Sequence, residues 1–411
     1  VLFFYRNYKL SSSLSINKLL EKSKNIASKI MDANIEDERI ILSFENEESF
    51  VTYFFGILLS GNTPVPMASS ALMLKEDFEN LLFQFSTTAK TKYIASKQDI
   101  SNFTNIFSLS DATSLSSSFY NPTNDDTCFI QFSSGSTSAP KGVVVSHANL
   151  LANNSQINEG IKLGTDDSIC TWLPLHHDMG LIGSLLTSLL KNLPCHIIRT
   201  QDYMLAPHKW LHLVSQTKCT ALCIPNSAYY VCATKIPDKK LEGLDLSAIR
   251  FAQCGAEPIK AGVLNAFNEK FKSYGFKSNV IMPVYGLAEA TLAVTFHEVE
   301  TEFETLVKDQ QEYISCGKVL SPTLLEIRNE EDGIGDIYIK GPSISTHYFG
   351  QESHLEDGWL NTGDLGFLYN DKLYITGRSK DLLICNGINI FANDIEFMAA
   401  SISTFVPSHL W

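Results

Sequence analysis

The sequence predicts an α/β protein: parallel sheets with helices on both faces, followed by a smaller antiparallel β unit. Three observations carry this. Short apolar runs recur, each followed by a loop and then a segment of helical period. The texture changes after about Phe296, where short strands separated by turns take over. Hydrophobic residues make up 44% of 411 residues and charged residues 19%, enough apolar material for a large core. That length suggests roughly two to three domains or lobes.

In chain order, Val1–Tyr5 reads as a strand. Arg39–Ser43 (RIILS) is an apolar strand before Glu48–Leu59 (ESFVTYFFGILL), which has a wide apolar helical face. Ser11–Ser13 and Ser114–Ser118 are short serine clusters, and Tyr120–Asp126 (YNPTNDD) is the best early linker. Thr127–Phe132 (TCFIQF) precedes a Gly/Ser loop. Ser168–Leu173, Cys195–Ile198, Thr220–Ile224, Ile249–Cys254 and Asn279–Val284 are further buried-strand candidates, with helical stretches such as Lys260–Tyr274 between them. Beyond Phe296, Glu326–Arg328, Asp336–Ile339, Gly366–Tyr369 and Lys372–Thr376 read as short strands, the last two joined by an Asn370-Asp371 hairpin turn. No repeat of 20–50-residue period is visible.

Composition excludes some classes. Lys+Arg is 32 against Asp+Glu 45, a net charge of −13, which argues against nucleic acid or an anionic membrane as partner. The longest apolar stretches, Tyr53–Leu59 and Leu181–Leu190, are too short to span a bilayer, so no membrane span is expected. Nine scattered cysteines without a paired framework read as reduced, and with no leader visible the expected compartment is the cytoplasm. The first residue is Val1, so the chain reads as a segment of something longer.

The sharpest local feature is Ser133-Ser134-Gly135-Ser136-Thr137-Ser138-Ala139-Pro140-Lys141-Gly142, between the strand Thr127–Phe132 and Val143-Val144-Val145. Small residues let backbone N–H groups approach an anion, hydroxyls add donors, and Lys141 adds a positive charge. That chemistry suits a polyphosphate. It is not a Walker loop, which needs Gly just before the Lys and Ser or Thr just after it; here those positions hold Pro140 and Gly142. A flexible Ser/Gly linker is the competing reading. The flanking apolar strands and the closing Pro-Lys-Gly favour phosphate.

Here the residues resemble the adenylate-forming enzymes, which include acyl-CoA synthetases, luciferases and peptide-synthetase adenylation domains. SSGSTSAPKGV is similar to their phosphate-binding signature. Tyr285-Gly286-Leu287-Ala288-Glu289 resembles the motif that stacks on adenine and holds magnesium, Thr362-Gly363-Asp364 the ribose-binding motif, and Gly377-Arg378-Ser379-Lys380-Asp381 the hinge motif. Gly387-Ile388-Asn389 and Asp394-Ile395-Glu396 resemble the family's segment just beyond the hinge. Within the family, Trp172–Leu181 (WLPLHHDMGL), Tyr285–Leu292 (YGLAEATL) and Tyr313–Lys318 (YISCGK) resemble the fatty acyl-AMP ligases. One departure is that 27 residues, 290–316, separate Glu289 from Gly317, fewer than the long insertion typical of that group.

The resemblance implies a fold and a reaction. The fold is the large N-terminal domain of these enzymes: two doubly wound α/β subdomains and a small β-barrel-like subdomain. Expected boundaries are 1–295 for the paired α/β subdomains, 296–379 for the antiparallel β subdomain, and 380–411 for the hinge and the start of a C-terminal domain. The reaction is attack of a fatty carboxylate on the α-phosphorus of ATP, releasing pyrophosphate and leaving an acyl adenylate. An acyl-carrier-protein thiol, or CoA, then accepts the acyl group. Charge must be neutralised on the phosphoryl oxygens and the partners held in line.

The resemblance also implies a role for each matching residue. Ser133, Ser134, Gly135, Ser136, Thr137 and Lys141 hold phosphates, and Glu289 with Thr137 holds Mg²⁺. Tyr285, with Gly286 and Ala288, faces the adenine, and Gly255-Ala256-Glu257 lines the base. Asp364 accepts the ribose hydroxyls and Arg378 donates near the ribose and α-phosphate. Lys380 is the hinge. His177, Glu289 and Arg378 form the catalytic set, with His177 positioning substrate. A metal at His176-His177-Asp178 is disfavoured, because adjacent histidines diverge and no third ligand spacing appears. Met179–Leu190 reads as a buried core helix or the lining of an acyl tunnel. Outside this context each residue also has a plain reading: Lys141 a solvated turn lysine, Glu289 a helix-start glutamate, Tyr285 a core aromatic, Thr362-Gly363-Asp364 a β-turn.

Relatives carry a further lysine on a small domain beyond the hinge. Only 31 residues follow Lys380 here, and none is lysine. Two other expectations stand beside the acyl-AMP ligase: a fatty acyl-CoA ligase, which the short 290–316 spacing leaves open, and a non-catalytic lobe that binds nucleotide or acyl-AMP, which the missing lysine favours. The nucleotide roles also require the bend ending at Lys141 to face the same crevice as Glu289, Asp364 and Arg378.

Overall fold

The computed structural model describes residues 1–112, 114–132, 140–308, 310–385 and 388–391. The chain divides into two compact units. The first comprises Val1–Leu222 with Ala288–Leu292 and Pro342–His354; the second comprises Cys223–Leu287, Ala293–Gly341 and the chain from Leu355 onward.

The first unit begins with strands β1 (Leu2–Arg6) and β2 (Lys9–Leu14) and helix α1 (Ile16–Asp32), whose Ser15 cap accepts the Lys18 N–H. There follow β3 (Arg39–Ser43), α2 (Glu48–Leu59), β4 (Thr63–Pro66), α3 (Lys75–Ala89), β5 (Tyr93–Ser96) and β6 (Thr104–Asn105). These build a parallel sheet of order β4-β3-β5-β6. Strand β3 therefore has its successors on opposite sides, and such an order places a crevice at the carboxyl ends of β3 and β5. β7 (Thr127–Phe132) and β8 (Gly142–Ser146) form an antiparallel hairpin. Its Ile130, Phe132 and Val144 share a core with Ile41, Val65, Ile94 and, from α3, Phe78, Leu82 and Phe85. The Phe85 and Phe132 rings stack at 4.0 Å.

After the hairpin, α4 (His147–Ile161) opens with a capping box in which Ser146 and Asn149 satisfy each other's backbone N–H. Then come β9 (Ile169–Thr171), a π-helix (Met179–Leu186), α5 (Thr187–Leu190), β10 (Cys195–Ile198), α6 (Thr200–Leu205) and α7 (Pro207–Thr217). β11 (Ala221–Pro225) starts in this unit and pairs with β9 through Ala221 and Ile169. The strand order is β11-β9-β10-β1-β2, parallel except for β1/β2. Here β9 is the strand whose successors lie on opposite sides, a second switch point.

In the second unit, α8 (Asn226–Lys235) and α9 (Ala261–Phe271) accompany β12 (Phe251–Gly255) and β13 (Ile281–Gly286), which pair in parallel. β14 (Ala293–Phe296) adds antiparallel to β13. Tyr229, Phe267, Phe271 and Phe276 pack there as an aromatic cluster, and the Tyr229 hydroxyl donates to the Ala252 carbonyl at 2.8 Å. β15 (Thr305–Lys308) and β16 (Gln311–Ile314) form a hairpin, and β17 (Lys318–Val319) lies beside β14. β18 (Leu324–Glu331), β19 (Ile334–Lys340), β20 (Leu360–Tyr369) and β21 (Lys372–Arg378) make a four-stranded antiparallel sheet in sequence order. The Asn370-Asp371 turn has φ of 51° and 60°, the two left-handed residues of a type I′ hairpin. β22 (Leu382–Cys385) and β23 (Ile388–Phe391) pair as a last hairpin.

Two local expectations change. Ser168–Leu173 holds only a three-residue strand, because the chain leaves the ladder at Trp172. Met179–Leu190 is π-helical in its first eight residues, with the Ser184 and Thr187 hydroxyls donating five residues back to the carbonyls of Met179 and Ile182. Among the described residues no helix is long and apolar enough to cross a membrane.

Candidate functional site

The first unit carries one cluster at the end of the β7/β8 hairpin. Ser133, Ser134, Gly135, Ser136 and Thr137 lie outside the described residues, as do Gly387 and Asp394–Glu396 of the later motifs. The stems of the loop are described. Phe132 pairs with Gly142, and a Cβ on Gly142 would sit 2.7 Å from Ile130 Cγ2, so the hairpin closes this tightly only on glycine. Lys141 is exposed, with its Nζ 4.7 Å from the centroid of the Tyr348 ring.

Tyr348 belongs to the segment Pro342–His354, which is laced to β8. The Phe349 N–H donates to the Gly142 carbonyl at 2.7 Å, and the Ser345 hydroxyl to the Val144 carbonyl at 2.8 Å. The same segment holds Glu289: the Ser345 N–H donates to the Glu289 carbonyl at 2.8 Å, and the Tyr348 hydroxyl donates to Glu289 Oε1 at 2.8 Å. Thr291 donates to the Ser343 carbonyl at 2.7 Å, fixing the chain just past Glu289. Burial, then the Glu289 carboxylate, raises the Tyr348 phenol pKa, so Tyr348 remains a donor at neutral pH. The His354 ring lies 4.6 Å from that of Tyr348, and burial holds its pKa down.

No group of three or more His, Cys, Asp or Glu side chains converges among the described residues. A lone half-buried carboxylate suits Mg²⁺, which takes one or two protein carboxylates together with substrate phosphates. Tyr348 occupies Oε1 of Glu289.

A second feature of this unit is the loop leaving β9 at its switch point. His177 is 46% exposed, and its Nδ1 lies 2.7 Å from Asp178 Oδ1. The Asp178 carboxylate raises the His177 pKa. Asp178 also caps the π-helix through the Met179 N–H at 2.7 Å. Burial, then His177 beside it, pushes His176 down to about 3. A Cβ on Gly180 would meet the Pro174 carbonyl oxygen at 2.2 Å, so the loop folds back onto the π-helix where a glycine leaves room. Trp172 stacks on Tyr203 of α6 at 3.6 Å, both edge-on to Trp210 of α7.

The second unit carries the other sequence-predicted residues. Asp364 on β20 and Arg378 on β21 are register partners, with Arg378 Nε 3.3 Å from Asp364 Oδ1. The Tyr285 hydroxyl, at the end of β13, donates to Asp364 Oδ2 at 2.7 Å. Burial, then the Asp364 carboxylate, pushes the Tyr285 phenol well above its ordinary value. Thr362 accepts the Asp364 N–H and donates to the Ile337 carbonyl, fixing the Thr-Gly-Asp segment on β20 rather than in a free turn. Gly255 ends β12, Ala256 has a φ of 68°, and the Glu257 carboxylate accepts the Ser227 N–H. Burial raises the Glu257 pKa. Gly286 ends β13, and Lys380 is exposed in a single 3₁₀ turn between β21 and β22; Ala288, which belongs to the first unit, opens a 3₁₀ turn of its own.

The structure thus brings Tyr285, Asp364 and Arg378 together, and ties Lys141 to Glu289 through Tyr348. His177 stands in its own loop with Asp178. Tyr348 was missed in the sequence; it lies in no patterned motif, and only its tertiary contacts with Lys141 and Glu289 single it out.

Comparison with known proteins gives the family. The model of the AMP-binding enzyme family matches residues 3–349. A protein of Caulobacter vibrioides named as a putative acyl-CoA synthetase is 32% identical over 95% of this chain and 76% of its own length. The medium-chain-fatty-acid–[acyl-carrier-protein] ligase JamA of Moorena producens is 30% identical over 96% of this chain and 76% of its own. A structure from work on fatty acyl-adenylate ligases of E. coli and L. pneumophila superposes with a TM-score of 0.90 at 32% identity, covering 97% of this chain and 80% of that one. The L. pneumophila fatty acyl-adenylate ligase solved with acyl adenylate and pyrophosphate gives 0.85 at 30% identity, covering 96% and 77%. With the α/β architecture and the family model spanning most of its length, the chain belongs to the AMP-binding enzyme family.

Proposed function

We propose that this protein activates a fatty acid with ATP, forming an acyl adenylate and pyrophosphate, and passes the acyl group to the thiol of an acyl-carrier protein. One observation carries the reading: the match over 96% of the chain to a ligase whose structure holds acyl adenylate and pyrophosphate. The side-chain clusters support it.

In this reading Lys141 and the loop before it hold the β- and γ-phosphates, and Glu289, oriented by the Tyr348 hydroxyl, would hold Mg²⁺. When bound, the ion would supply charge neutralisation on the phosphates. The fatty carboxylate attacks the α-phosphorus, a P–O bond to the carboxylate forms, and the bond to pyrophosphate breaks. Asp364 accepts the ribose hydroxyls; the Tyr285 hydroxyl at 2.7 Å and Arg378 at 3.3 Å fix the direction in which it presents them. His177, kept close to Asp178, positions the acyl and phosphate groups from the β9 loop.

The acyl-carrier acceptor is favoured by the names of two relatives, both medium-chain-fatty-acid–[acyl-carrier-protein] ligases. CoA is the second reading, favoured by the relatives named for CoA. The test is pyrophosphate–ATP exchange with fatty acids of graded length, followed by a supply of CoA or loaded acyl-carrier protein and mass detection of the thioester. Fatty-acid-dependent exchange with thioester on the carrier protein is expected. Absence of exchange, together with no thermal stabilisation by a non-hydrolysable acyl-AMP mimic, would overturn the reading.

A further inference from the structure

We propose that Asn46 is a positioning residue that sets the loop Trp172–Asp178, and with it His177, for the reaction; this rests on the functional reading above. Asn46 lies between β3 and α2, at the carboxyl end of one sheet's switch-point strand. The loop it holds leaves β9, the switch-point strand of the other sheet. One side chain therefore joins the two places where α/β sheets present ligands.

The bonding is complete. Asn46 is 5% exposed. Its Nδ2 donates to the Leu173 carbonyl at 2.7 Å, the Ile198 carbonyl at 3.0 Å and, more weakly, the Trp172 carbonyl at 3.3 Å. Its Oδ1 accepts the Leu175 N–H at 2.9 Å. The loop is irregular from Trp172 to His177, and Pro174 has no N–H to offer, so its buried backbone groups need partners from elsewhere. Thr200 donates to the Trp172 carbonyl at 2.8 Å and Gln131, from the end of β7, to the His176 carbonyl at 2.8 Å. Asn46 alone among these three bonds both donors and acceptors of the loop, on both sides of Pro174. Only a short amide does this. Aspartate lacks the donors, leucine lacks both functions, and glutamine is one methylene too long.

Asn62 provides a matched control in the same unit. It is 3% exposed, accepts the Glu38 N–H at 2.8 Å and donates to the Ile35 carbonyl at 2.9 Å. It staples a loop that carries none of the candidate residues.

The experiment compares Asn46→Asp with Asn62→Asp by thermal unfolding, fatty-acid-dependent pyrophosphate–ATP exchange, and the NMR ring signals of His176 and His177, assigned by their own glutamine variants. Both variants are expected to lose similar stability. Asn46→Asp should lower kcat by about 10²-fold, with the KM for ATP within about threefold, and displace both ring signals. Asn62→Asp should do neither. Should Asn46→Asp fail to fold, Asn46→Ser, which keeps a short donor and acceptor, is read in the same way with a smaller loss. Equal rate losses in the two aspartate variants, or ring signals unmoved at position 46, overturn the positioning role. A wild-type chain with neither exchange nor stabilisation by the acyl-AMP mimic overturns the functional reading instead, and the ring signals still decide the role of Asn46.

Discussion

The Tyr348 hydroxyl donates to the Glu289 carboxylate at 2.8 Å across 59 positions of sequence. The Lys141 ammonium lies over the face of the same tyrosine ring. One aromatic side chain thus orients an acid and sits beneath a base, the two charge types that a metal–polyphosphate needs.

Tyr348→Phe keeps the ring under Lys141 and removes only the donor. The apparent Mg²⁺ affinity, read as the metal dependence of ATP-induced thermal stabilisation, is expected to fall by about 10-fold, the size of effect seen when a ligand loses its outer hydrogen bond. An unchanged Mg²⁺ titration would remove Tyr348 from the site.

Asp364→Asn keeps the shape and discards the charge. Arg378 is 64% exposed, so the pair adds little to stability, about 0–1 kcal/mol, and unfolding should barely move. Nucleotide binding should weaken by at least about 10-fold, because a ribose bonded by a carboxylate loses charge-assisted hydrogen bonds. Isothermal titration with ATP checks this; equal affinity would dissociate Asp364 from the ribose.

Gly180→Ala drives a Cβ to 2.2 Å from the Pro174 carbonyl oxygen. Backbone must move, and a loss of about 1–3 kcal/mol is expected in urea unfolding. Gly262→Ala, in α9 with nothing within 4 Å of its added Cβ, is the control and should be neutral or stabilising. Matching losses in both variants would contradict the close approach.

Stability should fall on the acid side through the histidines. Burial holds His176 at about 3 and His196 at about 4, below the ordinary value of about 6.5. Between those values the unfolded chain binds more protons, so stability is present above about pH 6.5 and is lost as pH falls toward 4 and then 3. His177 runs the other way: Asp178 raises its pKa, and its contribution is present below about 6.5 and fades as pH rises through the raised value. Urea unfolding from pH 4.5 to 7.5 should show rising stability, and His176→Gln should flatten part of the slope. A slope unchanged in His176→Gln would mean that the ring is not held neutral by burial.

Much of the scaffold was legible because its signals are local. The strands Arg39–Ser43, Thr127–Phe132 and Cys195–Ile198 and the helix Glu48–Leu59 fall where their apolar runs placed them. The Asn370-Asp371 turn does too, since its left-handed backbone needs residues that tolerate it. The π-helix at Met179–Leu186 was not legible: its apolar pattern is that of any buried helix, and the widened ladder depends on Ser184, Thr187 and the close packing of Gly180 on Pro174.

By itself the sequence determined the alternating α/β order, the change to antiparallel strands after Phe296, and a run of small, hydroxyl-bearing residues ending in Lys141 whose chemistry suits phosphate. Each rests on chemistry within a few neighbouring residues. Tertiary structure alone decided that Tyr285, Asp364 and Arg378 touch, that Tyr348 orients Glu289, and that Asn46 holds the loop of His177. Those contacts span 59 to 129 positions or cross between strands, and a hydrogen bond depends on distance in space, which spacing along the chain does not encode.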